Sequence, residues 1–183
     1  DGIRDLVRSR GLGDVYKRQT DWSTWEWCFY VEFICRCPIF SYQEGTICVG
    51  DINLYSETTK SIRITVVPSF LDEHSSPDDS RYVWAYEVKI ENLGQETVQL
   101  INRHWSITNS LGQTQTVRGP GVVGEQPVLK PGEYFEYTSG TPLNTPSGLM
   151  SGIYQMEGKN GQLFDVSIPV FSLDSPHQLM QVN

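Results

Sequence analysis

From residue 60 onward, apolar and polar positions alternate in short runs closed by turn residues. Ile62, Ile64 and Val66 alternate with Arg63 and Thr65, the pattern of a half-buried strand. Tyr82, Trp84, Tyr86, Val88 and Ile90 form one face of a second run, with Glu87, Lys89 and Glu91 on the other. A third spans 98–109 with Ile101, Trp105 and Ile107 on one side. Runs over 114–117, 134–138 and 152–156 follow, and Phe164, Val166, Ile168 and Val170 make the inward face of a seventh. Asn92-Leu93-Gly94, Ser110-Leu111-Gly112, Lys130-Pro131-Gly132 and the segment 157–161 punctuate them as turns. No window between 60 and 173 sustains a 3.6-residue apolar period. This pattern predicts an all-β protein, an immunoglobulin- or fibronectin type III-like β-sandwich of about seven strands preceded by an irregular N-terminal extension.

The first 58 residues read differently. Residues 1–19 carry five basic and three acidic side chains and no apolar signal-peptide core, and they look like translated adaptor or vector sequence. Residues 20–58 form a Trp- and Cys-rich extension and linker. Trp22, Trp25 and Trp27 crowd six positions, where Trp22, Trp25 and Phe29 fit a docking helix and Trp25, Trp27 and Phe29 a strand. The plainer expectation is an ill-ordered extension with one short strand over 46–49. The domain proper is expected over 59–183.

Charge and cysteine content narrow the functional classes. Fourteen Lys and Arg against 22 Asp and Glu leave a net charge of −8, which argues against nucleic acid and anionic lipid as partners. No apolar run is long enough to span a bilayer. Cys28, Cys35, Cys37 and Cys48 cluster upstream of the strands and match no common zinc spacing. A disulfide framework would spread its pairs through the folded unit, so the expected compartment is reducing and cytoplasmic, with no bound metal or cofactor.

The segment Arg118, Gly119, Pro120, Gly121, Val122, Val123, Gly124, Glu125 contains a formal G-x-G-x-x-G. A dinucleotide site needs that turn to open a helix whose amides face pyrophosphate. Here Pro120 removes one amide and Glu125-Gln126-Pro127 replaces the helix, so a Rossmann site is excluded. A small anion nest flanked by Arg118, or glycines that merely permit a tight inter-strand crossing, both remain.

Arg103-His104-Trp105, the glycine segment through Val128, and Leu129-Lys-Pro131-Gly132 through Gly140 together resemble the ApaG domain family. Pro142 to Met156, Ile168 to Phe171, Ser75-Ser76-Pro77 and Arg81 to Tyr86 extend the resemblance over about residues 59–180. It implies a fibronectin type III-like sandwich. It also implies a link to cobalt and magnesium tolerance, as for bacterial members, or protein recognition, as where eukaryotic proteins carry the domain beside an F-box or in a polymerase-interacting protein. The glycine segment corresponds to a proposed pyrophosphate-binding loop of the family.

No nucleophile motif, zinc-protease motif or phosphate loop occurs, and an enzyme is not expected. His74 lies among Asp72, Glu73, Asp78 and Asp79 in a loop that reads as solvated rather than metal-binding. Arg103, His104 and Trp105 are secondary candidates. The expected function is therefore a non-catalytic module that recognises a protein through sandwich end loops, namely residues 118–126 together with the Pro-rich 141–148. Val122 and Val123 are expected to be surface contacts whose replacement by Asp removes the partner but spares the thermal melt. The alternative is a small-anion or divalent-cation-linked binding protein. Edge strands of such sandwiches can pair between chains, which keeps a homodimer among the expectations.

Overall fold

A computed structural model describes residues 53–177. The segment 1–19, the Trp- and Cys-rich stretch and the expected strand over 46–49 lie outside the described residues. Nine strands run in order: β1 (Tyr55–Thr59), β2 (Ile62–Phe70), β3 (Tyr82–Asn92), β4 (Val98–Asn109) and β5 (Thr114–Pro120) come first. β6 (Val128–Leu129), β7 (Tyr134–Leu143), β8 (Ser147–Gly158) and β9 (Leu163–Asp174) complete them. Two 3-10 turns, Asp72–His74 and Pro77–Asp79, link β2 to β3. Among the described residues no helix is long and apolar enough to cross a membrane.

The strands form two antiparallel sheets, β1-β2-β3-β7 and β5-β4-β8-β9, with β6 added to β4. This is the β-sandwich that the alternation predicts. Each sheet turns its apolar side inward: Ile62, Ile64, Val66, Trp84, Val88 and Ile90 from one, and Leu100, Trp105, Met150, Tyr154, Val166 and Phe171 from the other. Trp105 sits where the sheets meet. Its ring contacts Tyr86 at 5.4 Å and stands edge-on to Tyr154 and Phe171 at 6.0 and 6.1 Å, pairings that add to simple area burial.

Three expectations need correction. β1 falls in the stretch read as linker. Its sequence, Tyr-Ser-Glu-Thr-Thr, is polar because an edge strand buries little, yet it pairs with β2 from Tyr55↔Val66 to Thr59↔Ile62. It also reaches the other sheet, where the Tyr55 hydroxyl bonds Ser172 Oγ at 2.7 Å. Second, Ile101 is not in register with Trp105 and Ile107. The β4–β8 pairing shifts between Leu100 and Asn102, leaving Ile101 half-buried while Leu100 takes the core position. Third, a shift in the β8–β9 pairing turns Phe171 and Leu173 inward and leaves Val170 61% exposed. Strict alternation cannot foresee a bulge, because one extra residue inverts every position beyond it.

Candidate functional site

The glycine segment links β5 to β6, both of which lie along the same edge of β4. Gly121 donates its amide to the Ile101 carbonyl at 2.9 Å. Val122 and Glu125 exchange backbone bonds at 2.8 and 2.9 Å, making a two-residue hairpin with Val123 and Gly124 at its tip. Both tip residues have positive φ, +44° and +82°, the geometry of a primed turn. Gly121 is obligatory: at φ +57° a Cβ would lie 2.1 Å from the Glu125 carbonyl oxygen. The amides of Gly121, Val122 and Glu125 are thus spent on carbonyls, which leaves little of a nest for an anion.

The two valines part company here. Val122 is fully buried and belongs to the core cluster, contrary to the expectation of a surface contact, while Val123 is 46% exposed. Backbone pairing alone does not set this, since Glu125 on the other flank is exposed; Val122 packs on the core while the tip protrudes. Val123 is a β-branched residue in the left-handed region, which costs on the order of 1–3 kcal/mol. Replacing it with Asn, which tolerates that region, should stabilise the chain by about 1 kcal/mol and raise Tm by about 3 °C. A melt unchanged or lowered in Val123→Asn would contradict the strain.

Arg103, His104 and Trp105 do not form one cluster. Alternation along the unbroken part of β4 puts Arg103 in phase with buried Trp105, while His104 points outward. The Arg103 guanidinium donates to the Pro120 and Gly121 carbonyls at 2.9 and 2.7 Å and holds the glycine segment down from inside. Nearby, the buried hydroxyls of Tyr137 and Tyr154 hydrogen-bond each other. Burial pushes both phenols above their ordinary range, with the Arg103 charge acting weakly the other way. Both stay protonated and serve as core polar groups. On the opposite face, Arg118 Nε donates to His104 Nε2 at 3.3 Å. Among the described residues Arg118 makes no ion pair.

The second expected contact stretch lies elsewhere. Thr141 to Leu143 belong to β7 and Ser147 to β8, so only residues 144–146 connect them. That connection binds the far end of β4, where the Asn109 amide donates to Asn144 Oδ1 at 2.9 Å. Asn109 is eight residues from Ile101 along β4, about 26 Å away at a rise of 3.3 Å. The two stretches do not share a surface. In the acidic loop, the Asp72 carboxylate lies 3.1 Å from His177 Nε2. Among the described residues no group of three or more His, Cys, Asp or Glu could hold a metal ion. A cleft of about 290 Å3 opens between the β1–β2, β3–β4 and β8–β9 turns, lined by Lys60, Glu96, Lys159, Gln162 and Phe164 among others. Its Lys60 ammonium rests 5.2 Å above the Phe164 ring.

A surface that alternation alone leaves unremarked is the outer face of the five-stranded sheet. Cross-strand register sets its side chains in rows, three of which are Arg118–His104–Ile153–Ser167, Thr116–Ser106–Ser151, and Thr114–Thr108–Leu149–Ser172. Within these three rows only Arg118 carries a fixed charge; the rows beyond, through Asn102–Gln155 and Gln99–Glu157, add Asp165 and Glu157. Leu149 and Val170 are 53% and 61% exposed. The outer face of the other sheet is the opposite case, where Lys89 lies 3.2 Å from Glu91 and 3.7 Å from Glu136, and Arg63 2.8 Å from Glu91. The two salt-bridged cations hold the Glu91 carboxyl below its ordinary range, Arg63 most strongly. The sequence signal was present in positions 106 and 108 of β4, 114 and 116 of β5 and 149–153 of β8, which hold no charged side chain where 87–91 of β3 hold Glu and Lys.

Comparison with known proteins places this geometry. The ApaG domain profile matches residues 72–158. Protein ApaG of Paramagnetospirillum magneticum is 59% identical over 130 residues, covering 71% of this chain and all of that protein. Protein ApaG of Rhodospirillum centenum is 64% identical over 124 residues, 68% of this chain and 95% of its own. A crystal structure from Bordetella pertussis, assigned as ApaA, superimposes with a TM-score of 0.62 at 49% identity, covering 63% of this chain and 94% of that one. With a full-length relative matched at this identity and the same sandwich in a solved homologue, the chain belongs to the ApaG domain family.

Proposed function

We propose that the chain is a non-catalytic module that recognises a protein partner, and that the outer face of the five-stranded sheet is the surface it offers. The observation that supports this is the contrast between the two sheet faces: one carries ion pairs as solvated surfaces do, while the part of the other built from β5 and the 104–108 and 149–153 stretches holds Arg118 as its one fixed charge. Depletion of charge, rather than bulk hydrophobicity, marks the centres of interfaces.

The test is to install charge on that face without harming the fold. Ser106 and Ser151 are direct cross-strand partners. Ser106→Glu with Ser151→Lys places an ion pair there, which strands tolerate. Capture of a partner from native extract by the full chain should fall by about tenfold or more, with Tm shifted by less than about 3 °C. Undiminished capture would defeat the reading. The rival, a small-anion or divalent-cation-linked function, rests on Arg118 lacking a carboxylate. Calorimetric titration with pyrophosphate, with and without magnesium or cobalt, separates the two. A saturable heat abolished by Arg118→Ala would establish the rival.

A further inference from the structure

Resting on the recognition reading, the geometry points to its mode: we propose that β5 is a strand-addition site for an extended peptide segment bearing an acidic side chain opposite Arg118. The hydrogen-bond phase of β5 follows from its two ends. Asn109 donates to the Gln113 carbonyl at 3.0 Å and Gly121 to the Ile101 carbonyl at 2.9 Å, and the β4–β5 register between them is unbroken. In an antiparallel ladder, bonded pairs recur at every second residue. Gln115, Val117 and Gly119 therefore spend their backbone groups on β4. The N–H and C=O groups of Thr114, Thr116 and Arg118 face outward, and among the described residues no strand pairs with that side.

The other edges are guarded. β1 packs against β9, where Thr59 Oγ1 accepts the Ser167 amide at 3.3 Å and Tyr55 meets Ser172. β7 carries Glu136 and Pro142, the charged and proline residues that blunt an edge. β5 keeps its proline at the last position and otherwise holds Thr, Gln, Val and Gly around Arg118. The side chains flanking the free groups, Thr114, Thr116 and Arg118, share the outer face of the sheet. An added strand would extend that face and meet Arg118, whose nearest hydrogen-bond partner is a neutral acceptor on His104 rather than a carboxylate. Main-chain bonds supply affinity in strand addition and alternate side chains supply selectivity. Charge complementarity selects a carboxylate at the position opposite Arg118.

A capped peptide, Thr-Glu-Val-Thr-Val-Thr, places Glu opposite Arg118 when it runs antiparallel to β5. With the full chain and millimolar peptide, amide exchange at Thr114, Thr116 and Arg118 should slow about fivefold or more. The peptide with Lys in place of Glu should give no such protection, and Arg118→Glu should reverse the preference. Thr116→Pro, which deletes an outward N–H on an edge strand, should abolish protection while the protein stays folded. Equal protection by both peptides overturns the proposal. So does protection of β5 amides before peptide is added, which means residues 1–52 already cover the edge. Protection that rises with protein concentration indicates a second copy and also overturns it, as does inorganic phosphate acting as well as the Glu peptide. If the peptide fails while partner capture still responds to charge on the sheet face, strand addition alone falls. If capture is insensitive too, the recognition reading falls with it.

Discussion

Val122→Asp should unfold a large share of the protein, whereas Val123→Asp, one residue away, should not lower the melt. Val122 is fully buried in the core cluster. A carboxylate there loses the valine's packing and has no basic partner; among the described residues the nearby Arg103 is engaged with two carbonyls of the same segment. Unpaired burial of this kind costs on the order of 3–5 kcal/mol. That is a large part of the roughly 5–15 kcal/mol holding a domain together, so Tm should drop by about 10 °C or more. Val123 is 46% exposed at the hairpin tip, and an Asp there also accepts the left-handed backbone. Circular-dichroism melts of the two variants decide the matter, and equal melting points would show that the hairpin does not plug the core.

Gly152→Ala should be at least as damaging, although it adds only a methyl group. Gly152 stands opposite Trp105 on β4 and Ile168 on β9. A Cβ there would lie 2.3 Å from the His104 carbonyl oxygen and 3.1 Å from both the Trp105 ring and Ile168 Cδ1. The first clash is with backbone and cannot be relieved by a rotamer change. Trp105 must also stay where it is, since it links Tyr86 in one sheet with Tyr154 and Phe171 in the other. Overpacking of a tight core costs about 1–3 kcal/mol even where side chains give way. Against a fixed carbonyl the loss should exceed about 3 kcal/mol, read as a fall in Tm of about 10 °C or more. A melt near wild type would mean that β4 and β8 can separate without penalty.

The fold was largely written in the period-two pattern, and the reasons for its gaps are physical. Ile62, Ile64 and Val66, or Tyr86, Val88 and Ile90, announce their burial because each strand keeps strict alternation over its length. Ile101 and Val170 mislead because each sits at a register shift, where backbone geometry overrides pattern. β1 escaped notice because an edge strand of Ser, Glu and Thr has the composition of a linker. The candidate site was less legible. The glycines marked a real turn, but sequence proximity could not tell that Val122 faces in and Val123 out. Nor could it tell that residues 118–126 and 141–148 sit near opposite ends of β4. The charge-poor part of the outer sheet face was readable only by comparing outward positions of β4, β5 and β8 together.

The placement of β1 has a practical consequence. Sheet order sets β1 and β9 along one side of the sandwich and β5 and β7 along the other. A label attached within β1, at exposed Ser56, would therefore stand at the seam remote from the open edge. It would leave Thr114, Thr116 and Arg118 turned to the bulk, so that a ligand on β5 could be read without shadowing.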